Sequence, residues 1–143
     1  MGNTRADPTV IVADTSVLVP AIVADHEFHA ACHESAGLVD AAVGHVLIEL
    51  YSVLTRLPQP FTVTPAAAAT AVRSYAARIL DVPVDQLPDL IERFALVRIA
   101  GGSTYDALIA ATAAHHGAIL LTRDSRAATT YERLGADVRY VAA

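Results

Sequence analysis

The sequence has no lysine and no tryptophan, only one cysteine, and no apolar run long enough to cross a membrane. The single cysteine, Cys32, excludes a disulfide within the chain and fits a reducing compartment. A membrane-spanning helix needs about 20 consecutive apolar residues. Residues 1–8 also lack the charged and then apolar layout of a signal peptide. We therefore expect a cytoplasmic protein that does not contact a membrane.

Positive charge is scarce as well. Arginine supplies all ten basic residues against fifteen acidic ones, which gives a net charge of −5 and a pI of about 5.6. An acidic chain does not coat nucleic acid by bulk attraction. A nuclease remains compatible with this balance, because metal ions held by carboxylates can supply the positive charge that a phosphate needs.

The remaining composition is that of a folded globular chain. Apolar residues make up 54% and charged residues 17% of the 143 residues, which excludes a disordered chain. A chain of this length buries a sufficient core without disulfides. We therefore expect one domain over residues 1–143, in which residues 1–8 form a frayed lead-in to the first strand.

Short apolar runs typical of buried strands alternate with segments of helical periodicity. Strands are predicted over residues 9–13, 39–43, 96–99, 118–121 and 138–141. Helices are predicted from residue 15 onward and over residues 26–35, 45–57, 65–80, 84–94, 103–116 and 125–134. Such alternation implies right-handed crossovers. The predicted fold class is α/β, with three α/β/α layers around a central, mainly parallel sheet.

Four acidic residues fall where such a fold brings side chains together. Asp14 follows the first predicted strand, and Asp124 comes shortly after the strand that ends at residue 121. Asp106 lies in the first turn of one predicted helix, and Glu49 lies one turn into another. Ligands of open parallel sheets bind beyond the carboxyl ends of the strands. We therefore expect these four carboxylates to converge on one edge of the sheet.

Three of these acids also have a purely structural interpretation. Asp14 and Asp124 are good helix N-caps, each worth about 1 kcal/mol. Asp106 has the spacing of a capping box, in which its carboxylate reaches back to the amide of Ser103. Glu49 differs, because neither the third nor the fourth residue after it offers a helical partner.

Clustered carboxylates repel one another unless a cation neutralises them. Hard divalent cations such as Mg²⁺ or Mn²⁺ prefer carboxylate oxygens and keep several waters. Such an ion polarises a phosphoryl oxygen and lowers the pKa of a bound water. Two ions roughly 3.5–4 Å apart stabilise both the attacking and the leaving oxygen of a phosphate. The acid pattern therefore favours metal-assisted phosphodiester chemistry.

Four stretches resemble, in order, the motifs of PIN-domain ribonucleases. Residues 12–18 (VADTSVL) carry the first acid, and residues 45–54 (HVLIELYSVL) carry a helical glutamate. Residues 105–113 (YDALIAATA) and 120–124 (LLTRD) are similar to the third and fourth motifs. One such motif alone is weak, but four in order over nearly the whole chain form a specific signal.

The resemblance implies a compact α/β/α fold and Mg²⁺-dependent RNA cleavage by water, with Mn²⁺ as a substitute ion. For VapC-like toxins of this size it also implies a homodimer and a cognate antitoxin protein that inhibits it. Site residues carried over from the family are all polar. They are the metal ligands Asp14, Asp106 and Asp124, the catalytic Glu49 that positions a water or a second ion, and Ser16 and Thr122, which brace the carboxylates.

Other polar residues leave alternatives open. Arg123 and Arg126 flank Asp124 and suit an RNA phosphate, an antitoxin carboxylate or an ion pair with the acidic cluster. A histidine face formed by residues 26, 29 and 33 has the composition of a zinc site, but the expectation is a solvated or partner-facing stripe.

The sequence therefore predicts a Mg²⁺-dependent endoribonuclease that is the toxin of a toxin–antitoxin pair and cleaves tRNA or rRNA loops. Single-stranded loops are the expected target, because their bases can be splayed out. The alternatives are a PIN module that binds RNA or protein without cleaving it, and a housekeeping RNA-processing nuclease. A phosphatase and a receiver domain are excluded, because Asp14 is followed by Thr15 and Ser16 and because the chain has no lysine.

Overall fold

The structure is a computed structural model that describes residues 9–143. The elements follow one another as β1 (Ile11–Ala13), α1 (Thr15–Ile22), α2 (His29–Ala36), β2 (Ala42–Val43), α3 (Gly44–Thr55), α4 (Pro65–Arg73), β3 (Ile79–Leu80), a 3₁₀ turn (Val84–Gln86), α5 (Leu87–Leu96), α6 (Ser103–His115), β4 (Ile119–Thr122), α7 (Ser125–Arg133) and β5 (Asp137–Tyr140). Residues 1–8, for which we predicted a frayed end, lie outside this range. None of the helices described is both long and apolar enough to span a bilayer.

All strand pairs are parallel. β4 lies between β1 and β5, with Val12 opposite Leu120 in the register of the first pair. β2 pairs with β3, and the Asp40 backbone N–H just before β2 donates to the Ile11 carbonyl at 2.9 Å. β2 and β3 therefore form a short parallel pair beside β1 of the three-stranded sheet β1-β4-β5, and the predicted three-layer α/β/α class is confirmed.

The parallel register of β1 and β4 places the ends of both strands side by side. Ala13 lies opposite Leu121, and the next amide, that of Asp14, donates to the Leu121 carbonyl at 3.1 Å. The residues that leave these strands, Asp14 and residues 122–124, therefore lie at the same edge of the sheet.

A continuous apolar core holds the helices against this sheet. Val12 and Leu120 are fully buried in adjacent strands, and Leu50 and Leu54 of α3 are fully buried on one helix face. Burying each such side chain contributes about 1.5–3 kcal/mol. Helix α6 instead packs mainly through alanines, whose small side chains let the helix approach its neighbours closely; the fully buried ones are Ala107, Ala110 and Ala113.

Two predicted elements are wrong. The helix predicted over residues 65–80 ends at Arg73, and Ile79–Leu80 instead forms β3, because it pairs with β2 across the sheet. The strand predicted over residues 96–99 is absent. Helix α5 continues to Leu96, and Arg98 adopts a left-handed backbone with φ of 60°, which a strand does not permit.

Candidate active site

Asp14 is the most enclosed of the four acids, with 3% of its surface exposed. It caps α1, and its Oδ1 accepts hydrogen bonds from the Ser16 backbone N–H at 3.0 Å and from the Ser16 hydroxyl. Its Oδ2 accepts from the hydroxyls of Thr122 at 2.6 Å and Tyr131 at 2.8 Å. These four donors contact both oxygens of the carboxylate. Asp14 is therefore held in one orientation.

Burial raises the pKa values of both Asp14 and its hydrogen-bond donor Tyr131. Desolvation raises the pKa of Asp14, although its hydrogen bonds oppose that shift. Burial and the neighbouring Asp14 raise the pKa of Tyr131 far above its ordinary value. Tyr131 therefore remains a neutral donor, and within residues 9–143 no cationic side chain donates a hydrogen bond to the Asp14 carboxylate.

Glu49 projects from α3 toward the same edge of the sheet. Its Oε1 accepts a hydrogen bond from the Thr15 hydroxyl at 2.8 Å, directly beside Asp14. Its Oε2 lies 3.4 Å from the Nε2 atom of His45, one helical turn earlier. The partner of Glu49 on its own helix is therefore the residue four positions before it, not one that follows it.

Asp106 lies half-buried in the first turn of α6. The predicted capping box is wrong, because the helix begins at Ser103, its N-cap is Gly102, and no side chain caps it. The pKa of Asp106 is raised by burial first, and then by the charges of Glu49, Asp124 and Asp14. Glu49, Asp124 and Asp14 therefore lie near enough to Asp106 for their charges to act on it.

Asp124 caps α7 with only one of its oxygens. Its Oδ1 accepts from the backbone N–H groups of Arg126 at 3.0 Å and Ala127 at 3.1 Å, which leaves Oδ2 outside the cap. The capping interpretation is therefore correct for Asp124, as it is for Asp14, and each acid of this pair also belongs to the cluster.

Two hydroxyl groups connect the ends of β1 and β4. The Thr122 hydroxyl donates to Asp14 and accepts from the Asp124 backbone N–H at 3.0 Å. The Ser16 hydroxyl donates to Asp14 and accepts from the Arg123 backbone N–H at 2.7 Å. The residues predicted to brace the carboxylates therefore contact Asp14 directly.

The two arginines have different surroundings. The Arg123 guanidinium lies over the Phe28 ring, 3.8 Å from its centroid, and donates to the Val141 carbonyl. Arg126 is exposed and lines a cavity of about 330 Å³ together with Asp106. Its charge lowers the pKa of Asp106. Of these two arginines, Arg126 therefore borders the cluster, whereas Arg123 packs as part of the fold.

The model of the family described as PIN domain matches residues 11–133. The chain belongs to the PIN-domain family. It is 42% identical over 136 residues to "Ribonuclease VapC27" of Mycobacterium tuberculosis, which covers 90% of this chain and 94% of that protein. It is 41% identical over 137 residues to "Ribonuclease VapC40" of the same species, covering 92% and 99% of the two chains. The four acid motifs lie within the matched range.

The oxygen donors of this PIN domain suit a hydrated divalent cation better than a closed protein cage. Among residues 9–143, no three His, Cys, Asp or Glu side chains are arranged to hold an ion together. Mg²⁺ does not need such a cage, because it binds through one or two carboxylates and keeps its remaining waters. Oxygen ligands and mutual repulsion at Asp106 fit this ion, whereas a three-ligand zinc site does not fit.

Two of the three histidines that were predicted to form a stripe, His26 and His29, contact backbone groups of the fold. His29 Nδ1 lies 2.8 Å from the Pro20 carbonyl, and His26 Nδ1 accepts from the Phe28 backbone N–H at 3.1 Å. His26 also precedes α2 rather than belonging to it. The three imidazoles therefore do not form one helix face.

Sequence reasoning missed two residues of the site. Tyr131 is buried on α7 one turn after Ala127, and a buried tyrosine hydroxyl needs a hydrogen-bond partner. That rule would have pointed to an internal acceptor but not to Asp14. His45 lies four residues before Glu49, a spacing that places both on one helix face.

Proposed function

We propose that this PIN domain is a divalent-metal-dependent endoribonuclease, with Mg²⁺ as its ion and Mn²⁺ as a substitute. The observation that carries this proposal is the cluster of Asp14, Glu49, Asp106 and Asp124 at the carboxyl edge of the sheet, where burial first and then the charges of the other three acids raise the pKa of Asp106. The two relatives named as ribonucleases support RNA as the substrate.

The proposed ligands are Asp14, Asp106 and Asp124, one or two of them binding the ion directly and the others through its waters. A bound ion supplies positive charge to the scissile phosphate and activates water as the nucleophile. Asp124 contributes the oxygen that the α7 cap leaves free, and Asp106 contributes a carboxylate that the other three acids repel. Asp14 is held from β1 and β4 by four donors, so its charge stays at a fixed place.

Glu49 is the proposed group that orients the attacking water. Thr15 holds one of its oxygens, and His45 borders the other at 3.4 Å. A carboxylate held at one oxygen and bordered at the other has a restricted orientation, which suits a residue that accepts a proton from water. Ser16 and Thr122 keep the neighbouring Asp14 from rotating, and Arg126 is placed to contact an RNA phosphate.

The biological role that fits these features is that of a cytoplasmic VapC-like toxin. Both relatives carry VapC names, and both match nearly the full length of this chain. The proposed partners are an RNA substrate with a single-stranded tRNA or rRNA loop, a cognate antitoxin and a second copy of the chain. Exposed apolar side chains on or beside α5 offer surface for the protein partners; they are Val84, Ile91 and Leu96.

The test is cleavage of total RNA by the purified chain with Mg²⁺, with EDTA, and after the substitution Asp106→Asn. Asp106 is the best target, because it caps no helix and its replacement leaves the fold intact. The matched control is Asp137→Asn, an exposed acid at the start of β5 and therefore at the opposite edge of the sheet.

We expect discrete RNA fragments from the wild type and from Asp137→Asn with Mg²⁺, and at least a hundredfold slower cleavage by Asp106→Asn. If the RNA looks the same in every lane although all proteins are folded, the nuclease proposal fails. A PIN module that binds without cleaving then takes its place. Growth arrest on expression, relieved by the product of a neighbouring small gene, separates a toxin from a housekeeping RNA-processing nuclease.

A further inference from the structure

A stacked pair of aromatic rings spans the two helices that carry Glu49 and Asp106. The rings of His45 on α3 and Tyr105 on α6 lie 5.2 Å apart between centroids, at an interplanar angle of 5°. Tyr105 is 58% exposed. A tyrosine held flat by a neighbour but left largely in solvent gains little from burial, so packing alone does not account for its position.

This pair borders the carboxylate cluster. His45 Nε2 is 3.4 Å from Glu49 Oε2, and Tyr105 immediately precedes Asp106. A ligand whose reacting group lies among the carboxylates therefore has this aromatic surface directly beside it.

Two further aromatic rings near the cluster, Tyr131 and Phe28, are already covered, and Tyr131 is fully buried. Arg123 lies 3.8 Å from the centroid of Phe28 and occupies that face of the ring. Elsewhere in residues 9–143, the aromatic pairs are tilted by 31° or more. The pair of His45 and Tyr105 therefore combines a near-parallel geometry with a ring that is open to solvent.

We propose that Tyr105, supported from behind by His45, stacks an unpaired RNA base next to the phosphodiester bond at the carboxylate cluster. This inference rests on the proposed function. An acidic cluster repels the RNA backbone, and the chain has few cations to offset that repulsion. Stacking attracts a base without requiring opposite charge, and it tolerates every base because each has a π-face. The ring pair thus supplies attraction where electrostatics does not.

The test is a coupling measurement between the ring and a single base. A fluorescein-labelled, unstructured RNA oligonucleotide is titrated with protein at fixed salt, and each nucleotide is replaced in turn by an abasic one. All proteins carry Asp106→Asn, which prevents cleavage. The variants are Tyr105→Ala, Tyr105→Phe, His45→Phe and the control Tyr51→Ala, which removes an exposed tyrosine on a different face of α3.

Tyr105→Ala is expected to raise the Kd of the RNA by about 5- to 150-fold, the range for loss of one stacked base. Tyr105→Phe and His45→Phe keep a flat ring, so their Kd values should stay within about threefold of that of the parent. The control Tyr51→Ala should have the same Kd as the parent. One abasic position should weaken the parent strongly but leave Tyr105→Ala unaffected, because the lost ring and the lost base report one contact.

Equal Kd values for Tyr105→Ala and the parent, or an abasic penalty of the same size in both, would overturn the stacking inference. If the wild type still cleaves RNA in that case, the proposed function stands and only the platform fails. If no variant binds RNA and the wild type does not cleave it, both fail together. Weaker binding of a protein partner alone by Tyr105→Ala also counts against RNA stacking.

Discussion

Asp14 and Asp106 contribute the same kind of carboxylate to one cluster, but the molecule surrounds them differently. Asp14 leaves strand β1, is almost completely buried, and accepts four hydrogen bonds from both sides of the β1–β4 junction. Asp106 belongs to helix α6, is half-buried, and is repelled by the three other acids.

This difference separates two ways of building one site. We call Asp14 and its hydroxyl donors the strand side of the site, and Asp106 the helix side. The strand side is fixed before any ion binds, because Ser16, Thr122 and Tyr131 donate hydrogen bonds to the Asp14 carboxylate. The helix side carries a charge that Arg126 only partly offsets, so it gains most from a bound cation. The strand side should therefore govern stability, and the helix side should govern ion binding.

The largest expected effect is on the strand side. Asp14→Ala removes a helix cap and leaves the hydroxyls of Thr122 and Tyr131 without their acceptor inside the protein. Each buried donor left unsatisfied costs about 1–3 kcal/mol and the cap about 1 kcal/mol, so unfolding free energy should fall by about 3 kcal/mol or more. Urea denaturation measures this loss.

The matched substitution on the helix side is Asp106→Ala, which is expected to leave the unfolding free energy of the metal-free chain unchanged or slightly higher. Equal losses for Asp14→Ala and Asp106→Ala would show that the two sides are not built differently.

The second effect is stabilisation by the metal ion. A ligand that binds only the folded chain stabilises it by about 2.7 kcal/mol at a concentration of 100 times its Kd. Mg²⁺ should therefore raise the thermal midpoint of the wild type and of Asp137→Asn, but much less that of Asp106→Asn. Scanning calorimetry across a Mg²⁺ series measures the three responses, and an undiminished response of Asp106→Asn would remove Asp106 from the ion site.

The contrast also explains what could be predicted from sequence. The positions of Asp14 and Asp124 follow from short buried strands that end in helix-capping residues, so local pattern was sufficient. β3 was missed because Ile79–Leu80 becomes a strand only by pairing with β2, a contact that no local pattern contains. The Tyr131 hydrogen bond to Asp14 was missed for the same reason, since it joins residues 117 positions apart.

A third, smaller effect distinguishes the hydroxyls within the strand side. Thr122→Val keeps the shape of the side chain but removes a donor to Asp14 and an acceptor for the Asp124 amide, so it should cost about 1–3 kcal/mol. The control is Thr112→Val, a residue equally buried whose hydroxyl donates only to the Leu108 carbonyl within α6. Chemical denaturation should show a clearly smaller loss for Thr112→Val, and equal losses would contradict the bracing role of Thr122.

The smallest effect is the pH dependence of the helix side without metal. The folded chain raises the pKa of Asp106 above its ordinary value of 3.8, through burial and the neighbouring carboxylates. Between 3.8 and the raised value, the folded state holds more proton at this site than the unfolded state. Ionisation of Asp106 therefore lowers stability as the pH rises through that window, and the effect is complete above it.

Asp106→Asn removes this penalty, so its unfolding free energy should exceed that of the wild type at pH 7 but not at pH 3.5, where both side chains are neutral. The gain should stay below about 1 kcal/mol, because Asp106 is only half-buried and solvent screens its repulsion. Urea unfolding of both proteins from pH 3.5 to 8 in EDTA gives the difference directly. If the difference in unfolding free energy is flat across this range, or shrinks as the pH rises, the other acids do not repel Asp106. With saturating Mg²⁺ at pH 7, the wild type should instead be the more stable protein, since only the wild type gains the ion.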